Sequence, residues 1–215
     1  MVVTDRRVFP EPVAGEPVAA AELAVWRDLI TARPGLVQLR EKDLTGGPLL
    51  ARAAALGELC RSAQVRWVVN DRADVARLAG ADGVHLPAAG MAAADARTVA
   101  LCGPAGERPL VGRSVHGLDE ALAAAQEGVD YVVFGPVFET PAKRAFGAPQ
   151  GLDRLARVCA ACPVPVIGIG GVSIATASAV MAHGAAGVGV VRAVLAATSP
   201  GAAVRALVAT LRESQ

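Results

Sequence analysis

The chain has 215 residues, 53% of them apolar and 3% aromatic, and its 21 basic and 20 acidic side chains leave a formal charge of +1. This near-neutral charge and the scarcity of aromatic side chains argue against a nucleic-acid partner. The chain contains no apolar run near the ~18 residues of a membrane span and no signal-peptide pattern. We therefore expect a cytoplasmic protein with a small-molecule substrate and with neither nucleic-acid nor membrane partners.

Short β-branched runs alternate with alanine- and leucine-rich stretches along the whole chain. The predicted strands are 1–5, 36–41, 66–71, 83–87, 110–116, 130–138, 164–171 and 186–191. The predicted helices are 19–31, 48–63, 74–80, 91–102, 118–128, 152–162, 174–184 and 200–215. Eight such units favour a parallel barrel, so the sequence predicts an α/β fold, a single-domain (β/α)8 TIM barrel over residues 1–215. An open doubly wound sheet is the alternative, disfavoured because no GxGxxG motif follows the first strand.

Cysteines at 60, 102, 159 and 162 include a C-A-A-C pair. The pair lies inside a predicted helix, whereas a redox pair would begin one, and no further ligands occur at zinc-site spacing. We interpret all four as reduced thiols.

Polar residues concentrate where the predicted strands end. In TIM barrels these carboxyl ends carry the chemistry. The residues concerned are Thr4, Asp5, Gln38, Arg40, Glu41, Lys42, Asn70, Asp71, Arg72, His85, Ser114, His116, Glu139, Thr140, Lys143 and Arg192. The long loop 140–151 is predicted to lie over the same face as a lid.

Two groups of residues suit anions. Gly168, Gly170 and Gly171 remove side chains so that backbone amides can approach a ligand, and Val191-Arg192 begins a short helix whose amino end favours an anion. Together they predict the phosphate site that barrels build from loops seven and eight. Arg40 and Lys42, as alternate residues facing the same way, suit a carboxylate or a second phosphate.

The chain has three histidines. His116 ends the fifth strand on the catalytic rim, two residues after Ser114, and an imidazole there is the best acid–base candidate. His85 alternates with Val84 and Leu86, and a core position and a ligand contact are equally open for it. His183, at a helix end before a glycine, is interpreted as a cap.

Five motifs resemble the thiamine phosphate synthase superfamily. They are LREK (39–42), NDRADVARLAGADGVHL (70–86), GRSVH (112–116), DYVVFGPVF (130–138) and VIGIGGV (166–172). The resemblance runs over nearly the whole chain and implies one of two activities. The synthase joins a hydroxymethylpyrimidine diphosphate to a thiazole phosphate with magnesium. A thiazole tautomerase acts one step earlier, without a metal or another cofactor.

The two activities differ in the motifs they need. The synthase pattern has glycine-glutamine and a metal-binding aspartate after strand four, where this chain reads HLPAAGMAAA (85–94). It also has a threonine-rich run before a lysine, of which Thr140 and Lys143 remain. GRSVH, FG-x-VFET and HLP are similar to the tautomerase, whose catalytic histidine corresponds to His116. Asp71 departs from this pattern, since it matches the synthase's magnesium carboxylate.

The resemblance therefore implies a tautomerase that uses His116 to move a proton on a carboxythiazole phosphate. The substrate-binding residues it implies are Arg40, Lys42, Asn70, Ser114, Thr140, Lys143, Gly170, Gly171, Val191 and Arg192. The alternatives are the magnesium-dependent synthase and a barrel that binds a phosphate ligand without turnover. A homodimer is also expected, from the apolar stretch at 19–26.

Overall fold

The computed structural model describes residues 1–8, 18–100, 108–140 and 148–213. Eight parallel strands lie side by side in the order in which they occur along the chain. They are β1 Val2–Val3, β2 Val37–Leu39, β3 Trp67–Asn70, β4 Gly83–Leu86, β5 Leu110–Val115, β6 Tyr131–Phe134, β7 Val166–Ile169 and β8 Gly187–Gly189. The sheet closes between its two ends at a bridge that pairs Val2 with Val190. The predicted TIM barrel is confirmed, and the open doubly wound sheet is excluded.

Helices alternate with the strands and surround them. The described ones are a short 3-10 helix Arg6–Val8 and the α-helices α1 Val18–Thr31, α2 Gly46–Ala63, α3 Ala73–Ala79, α4 Ala93–Ala100, α5 Leu118–Gln126, α6 Gly151–Ala161, α7 Ile174–Ala182, α8 Arg192–Leu195 and α9 Pro200–Glu213. Each predicted strand contains an observed strand, and the observed strands are shorter. β6, for example, ends two residues before Pro136, which has no amide hydrogen to donate to the sheet.

The hydrophobic core is a shell between the outer face of the barrel and the helices. Trp26 and Leu29 of α1 and Leu56 of α2 are fully buried in it, beside Trp67 of β3. A Cβ at Gly57 would overlap the ring of Trp67, so this glycine lets α2 approach the sheet closely. We call this apolar layer the shell.

Alternation along each strand separates the shell from the barrel interior. Val84 and Leu86 of β4 belong to the shell. Because successive side chains point to opposite faces, His85 between them points into the barrel. The same alternation turns further side chains of neighbouring strands inward: Gln38, Asn70, Ser114, Tyr131 and Val133.

The described cysteines carry free thiols. Cys60 is buried, Cys159 and Cys162 are half-buried, and none of the three forms a disulfide. Burial raises the pKa of Cys60 to about 12 and that of Cys159 to about 11. Cys102 lies outside the described residues. None of the described helices combines the length and apolarity that a bilayer crossing requires.

Candidate active site

His116 lies on the carboxyl-terminal rim of the barrel, directly after β5, and is exposed. Its Nδ1 is 2.5 Å from the carbonyl oxygen of Gly135 at the end of β6. Because a carbonyl only accepts, Nδ1 carries the proton and Nε2 is left as the ring's acceptor. The His116 amide donates to Glu120 in the first turn of α5 at 2.8 Å, which fixes the backbone as well. The geometry therefore presents one nitrogen able to take up a proton.

His85 is fully buried below this rim. Its Nε2 lies 2.9 Å from the Ser114 hydroxyl oxygen and its Nδ1 lies 3.3 Å from the Tyr131 hydroxyl. The rings of His85 and Tyr131 stack with centroids 5.7 Å apart. Burial, followed by the nearby charges of Arg40 and Arg113, lowers the pKa of His85 to about 3. His85 is therefore neutral near pH 7, and the core position left open by the sequence is the one observed.

Asn70 closes β3 at the same depth as His85, its neighbour on β4. Gln38 Nε2 donates to the side-chain oxygen Oδ1 of Asn70 at 3.0 Å, which leaves the Asn70 side-chain NH2 group to donate to a ligand. Asp71 follows with a left-handed backbone, φ 66°, and its amide donates to the His85 carbonyl at 2.8 Å. Asn70 thus offers an amide donor to the barrel interior, and its role in substrate binding stays a prediction.

Arg40 and Lys42 do not form the predicted pair of alternate strand residues. β2 ends at Leu39, and Lys42 lies exposed on the following turn. Arg40 is half-buried beside the interior, and desolvation, together with the Arg7 charge, lowers its pKa. Its amide donates to the Thr4 hydroxyl at 2.9 Å. Regular strand geometry ends at Leu39, so alternation does not extend to Lys42, and of the two residues only Arg40 lies beside the interior.

The predicted phosphate site, which we call the phosphate cup, lies at the ends of β7 and β8, which are paired neighbours. Gly170 and Gly171 have positive φ values, 97° and 65°. A Cβ would overlap Pro136 at the first and Phe138 at the second. The amides of Gly170, Gly171, Val191 and Arg192 have no acceptor among the described residues. α8 spans only four residues, so these amides, more than a helix dipole, are what the cup offers an anion.

Gly168 does not belong to this cup, contrary to the prediction. A Cβ there would overlap Val180 of α7, so Gly168 faces the shell and allows close helix packing. His183 caps the same helix, and its Nδ1 donates to the Ala179 carbonyl at 2.6 Å, which agrees with its interpretation as a cap.

The loop after β6 is described only in part. The Thr140 hydroxyl oxygen is buried and has no partner among the described residues. Lys143, and the greater part of the predicted lid at 140–151, lie outside the described residues, so both stay predictions.

The described residues do not fit the magnesium ion of a synthase. No group of three or more histidine, cysteine or acidic side chains comes together in the described ranges. Asp71 is the one carboxylate of the resemblance that remains, and a single carboxylate holds Mg2+ weakly. The segment from Pro87 to Met91 faces the buried guanidinium of Arg113, which donates to the carbonyls of Pro87, Ala88 and Met91. A guanidinium is a cation and cannot coordinate a metal ion.

Two buried residues were not singled out from the sequence: Tyr131 of the barrel interior and Arg113, which alternates with Ser114 and so faces outward from β5. Tyr131 lies in an apolar run that predicts only a strand, and Arg113 is the second residue of GRSVH. A charged residue inside a strand was the available signal for Arg113, since a buried arginine needs acceptors. Nothing in the sequence alone places the Tyr131 hydroxyl next to His85.

Comparison with known proteins identifies the family. The family described as thiamine monophosphate synthase matches residues 12–194. The chain belongs to that family. A putative thiamine-phosphate synthase of Geobacter sulfurreducens is 42% identical over 189 residues, 88% of this chain and 86% of the relative. A thiamine-phosphate synthase of Roseiflexus castenholzii is 39% identical over 206 residues, 96% of this chain and 85% of the relative.

A solved structure gives the same result. The thiamine phosphate pyrophosphorylase from Pyrococcus furiosus superposes with a TM-score of 0.83 and 30% identity, covering 99% of this chain and 95% of that one. Family membership makes this protein an enzyme of thiamine biosynthesis. The names of its relatives support the synthase, which the sequence offered as the alternative, better than the tautomerase.

Proposed function

We propose that this family member is a thiazole tautomerase that converts a carboxythiazole phosphate to its aromatic form. The observation that carries the proposal is the bond from His116 Nδ1 to the Gly135 carbonyl, which leaves Nε2 as the proton-transfer atom at the rim. An imidazole whose second nitrogen is fixed in this way both takes up and returns a proton near neutral pH.

The proposed reaction is a proton shift within one substrate molecule. His116 Nε2 removes the proton from the ring carbon that bears the carboxylate. The electron pair of that C–H bond enters the ring, and the exocyclic double bond is protonated at its outer carbon by the same imidazolium. His116 ends the cycle neutral, no electrons are gained or lost, and the ring becomes aromatic.

The substrate-binding residues lie in two groups at the carboxyl-terminal opening of the barrel, which we call the mouth. The half-buried Arg40 guanidinium suits the carboxylate, since a desolvated arginine pairs strongly with such a group. The amides of Gly170, Gly171, Val191 and Arg192 suit the phosphate, with Thr140 and Lys143 as further contacts. Asn70 and Ser114 supply hydrogen bonds from the barrel interior.

The second candidate is the synthase reaction. The names of the relatives support it, and so does Asp71, which keeps the family's carboxylate beside Asn70. The poor fit of the described residues to a magnesium ion is the argument against it. The predicted homodimer also stays a proposal.

One assay separates the two reactions. The purified protein is given the exocyclic thiazole tautomer in the presence of a chelator, and separately the pyrimidine diphosphate and thiazole phosphate with magnesium. We expect conversion in the first assay and a loss of ~10²-fold or more in His116→Asn, with the folded fraction of that variant checked by circular dichroism.

The other outcomes are equally informative. Formation of thiamine phosphate in the second assay, with no conversion in the first, overturns the proposal and establishes the synthase. If the tautomer binds tightly and neither assay yields a product, the protein is a non-catalytic binding barrel.

A further inference from the structure

We infer that Tyr131 and His85 form a relay that fixes the Ser114 hydroxyl as a hydrogen-bond donor toward the bound substrate. The inference deepens the proposed function and rests on it only in taking the barrel mouth as the binding site. It holds for either candidate reaction. Tyr131 and His85 act through Ser114 and are positioning residues.

The relay begins at Tyr131, whose ring fills space left by the missing side chain of a glycine. A Cβ at Gly112, the paired residue on β5, would overlap the Tyr131 ring, so the glycine creates the space that the ring fills. Tyr131 is buried, and His85 Nδ1 is the only hydrogen-bond partner of its hydroxyl among the described residues. A buried hydroxyl hydrogen left without an acceptor destabilises the fold. Tyr131 therefore donates to Nδ1, and Nδ1 carries no proton.

The bond from Tyr131 determines which nitrogen of His85 carries the proton. Burial keeps the imidazole neutral, so it carries a single proton, and with Nδ1 accepting, that proton sits on Nε2. Nε2–H then donates to the Ser114 oxygen 2.9 Å away. The opposite tautomer would leave the Tyr131 hydroxyl hydrogen without an acceptor.

Ser114 is the end of the relay. It is half-buried on the inner face of β5, two residues before His116. Its oxygen accepts from His85, and its own hydroxyl hydrogen has no acceptor among the described residues. That hydrogen is therefore offered to the mouth, where it suits an acceptor atom of the ligand such as a thiazole carboxylate oxygen. With the reverse polarity Ser114 would offer only lone pairs and would repel the same atom.

The other two histidines provide internal controls. His116 and His183 both donate from Nδ1 to backbone carbonyls, those of Gly135 and Ala179. The chain has three histidines. The relay thus makes His85 the one Nε2–H tautomer of the protein and the other two Nδ1–H tautomers.

The first test is the tautomer of His85 in the ligand-free protein. Histidine-¹⁵N-labelled protein is examined at about pH 8, where imidazoles are neutral, by long-range ¹H–¹⁵N correlation. His116→Asn and His183→Asn each remove one set of signals, and the set that remains in both belongs to His85. We expect an Nε2–H pattern for that set. An Nδ1–H pattern for His85 overturns the relay, whatever reaction the protein catalyses.

The second test is the coupling between Tyr131 and Ser114 in ligand binding. The ligand titrated is the aromatic carboxythiazole phosphate, the product of the proposed reaction. Calorimetry measures its binding to the wild type, Tyr131→Phe, Ser114→Ala and the double variant. We expect Ser114→Ala to weaken binding ~10-fold and Tyr131→Phe ~3-fold, as befits one and part of one hydrogen bond. Tyr131→Phe keeps the ring and its stacking, so in the Ser114→Ala background it should have no further effect.

The outcomes of the second test are distinct. An equal loss from Tyr131→Phe in both backgrounds means that the hydroxyl acts through packing, and it overturns the relay. If the wild type does not bind the carboxythiazole phosphate at all, the proposed function fails, and the tautomer of His85 still decides the relay.

Discussion

The two faces of the barrel strands differ in the interactions that their side chains make. The outer faces pack in the shell, where large apolar side chains such as Leu56 of α2 and Trp67 of β3 are buried against one another. The inner faces carry His85, Ser114 and Tyr131, each paired to another side chain by a hydrogen bond. Removing a side chain from the shell leaves a void, whereas removing one from the interior leaves an unmet donor or acceptor. Stability should therefore depend mainly on the shell and ligand recognition mainly on the interior.

The largest expected effect tests the shell. Leu56→Ala removes a fully buried side chain from α2 and should lower the free energy of unfolding by ~2–5 kcal/mol, through lost burial and the remaining cavity. Urea titration measures the change, with Leu78→Ala as the control because Leu78 is 70% exposed. The control should stay within ~0.5 kcal/mol. A Leu56→Ala protein that folds but binds the carboxythiazole phosphate ~10-fold more weakly would contradict the separation of roles.

The next effect comes from the interior and depends on pH. Burial lowers the pKa of His85 to about 3 in the folded protein, from 6.5 for an ordinary histidine. As the pH falls below 6.5, the unfolded chain binds a proton that the folded chain refuses. The free energy of unfolding should therefore fall by up to ~1.4 kcal/mol per pH unit between about pH 6.5 and pH 5.

Urea midpoints across this window measure the slope, and three variants identify its source. His85→Gln should remove the larger part of the slope, while His183→Gln and His116→Asn should keep it. The buried Met1 amino group, whose pKa burial lowers to about 6, accounts for the remainder near pH 6. A slope that is undiminished in His85→Gln would assign the acid sensitivity to groups other than the buried imidazole.

The smallest effect compares two basic residues at the mouth. Arg40 is half-buried beside the interior and Lys42 is exposed on a turn. Arg40→Gln should weaken binding of the carboxythiazole phosphate ~10-fold, and Lys42→Gln by less than ~3-fold, because water screens the exposed charge. Calorimetry at two salt concentrations checks this, and an equal loss from both substitutions would restore the pair predicted from alternation.

The sequence and the structure agree most closely on the architecture. The alternation of apolar runs with helical stretches predicted all eight strands, because burial on both faces leaves a pattern that is local along the chain. The position of His116 at the rim followed from the same pattern, since it ends the fifth strand. The assignment of Gly168 to the phosphate cup was wrong for the opposite reason. The helix residue that packs against a strand glycine, Val180 of α7 in this case, has no signature near that glycine in the sequence.

What the sequence by itself determined was the barrel, its order of strands and the family. These depend on periodicity and on motifs, both of which are written in consecutive residues. Only the tertiary structure decided which ring nitrogen His116 and His85 offer, because that depends on Gly135, directly after β6, for His116 and on Tyr131 of β6 for His85. A hydrogen-bond partner brought from another strand sets the chemistry of a side chain, and its identity is fixed by folding alone.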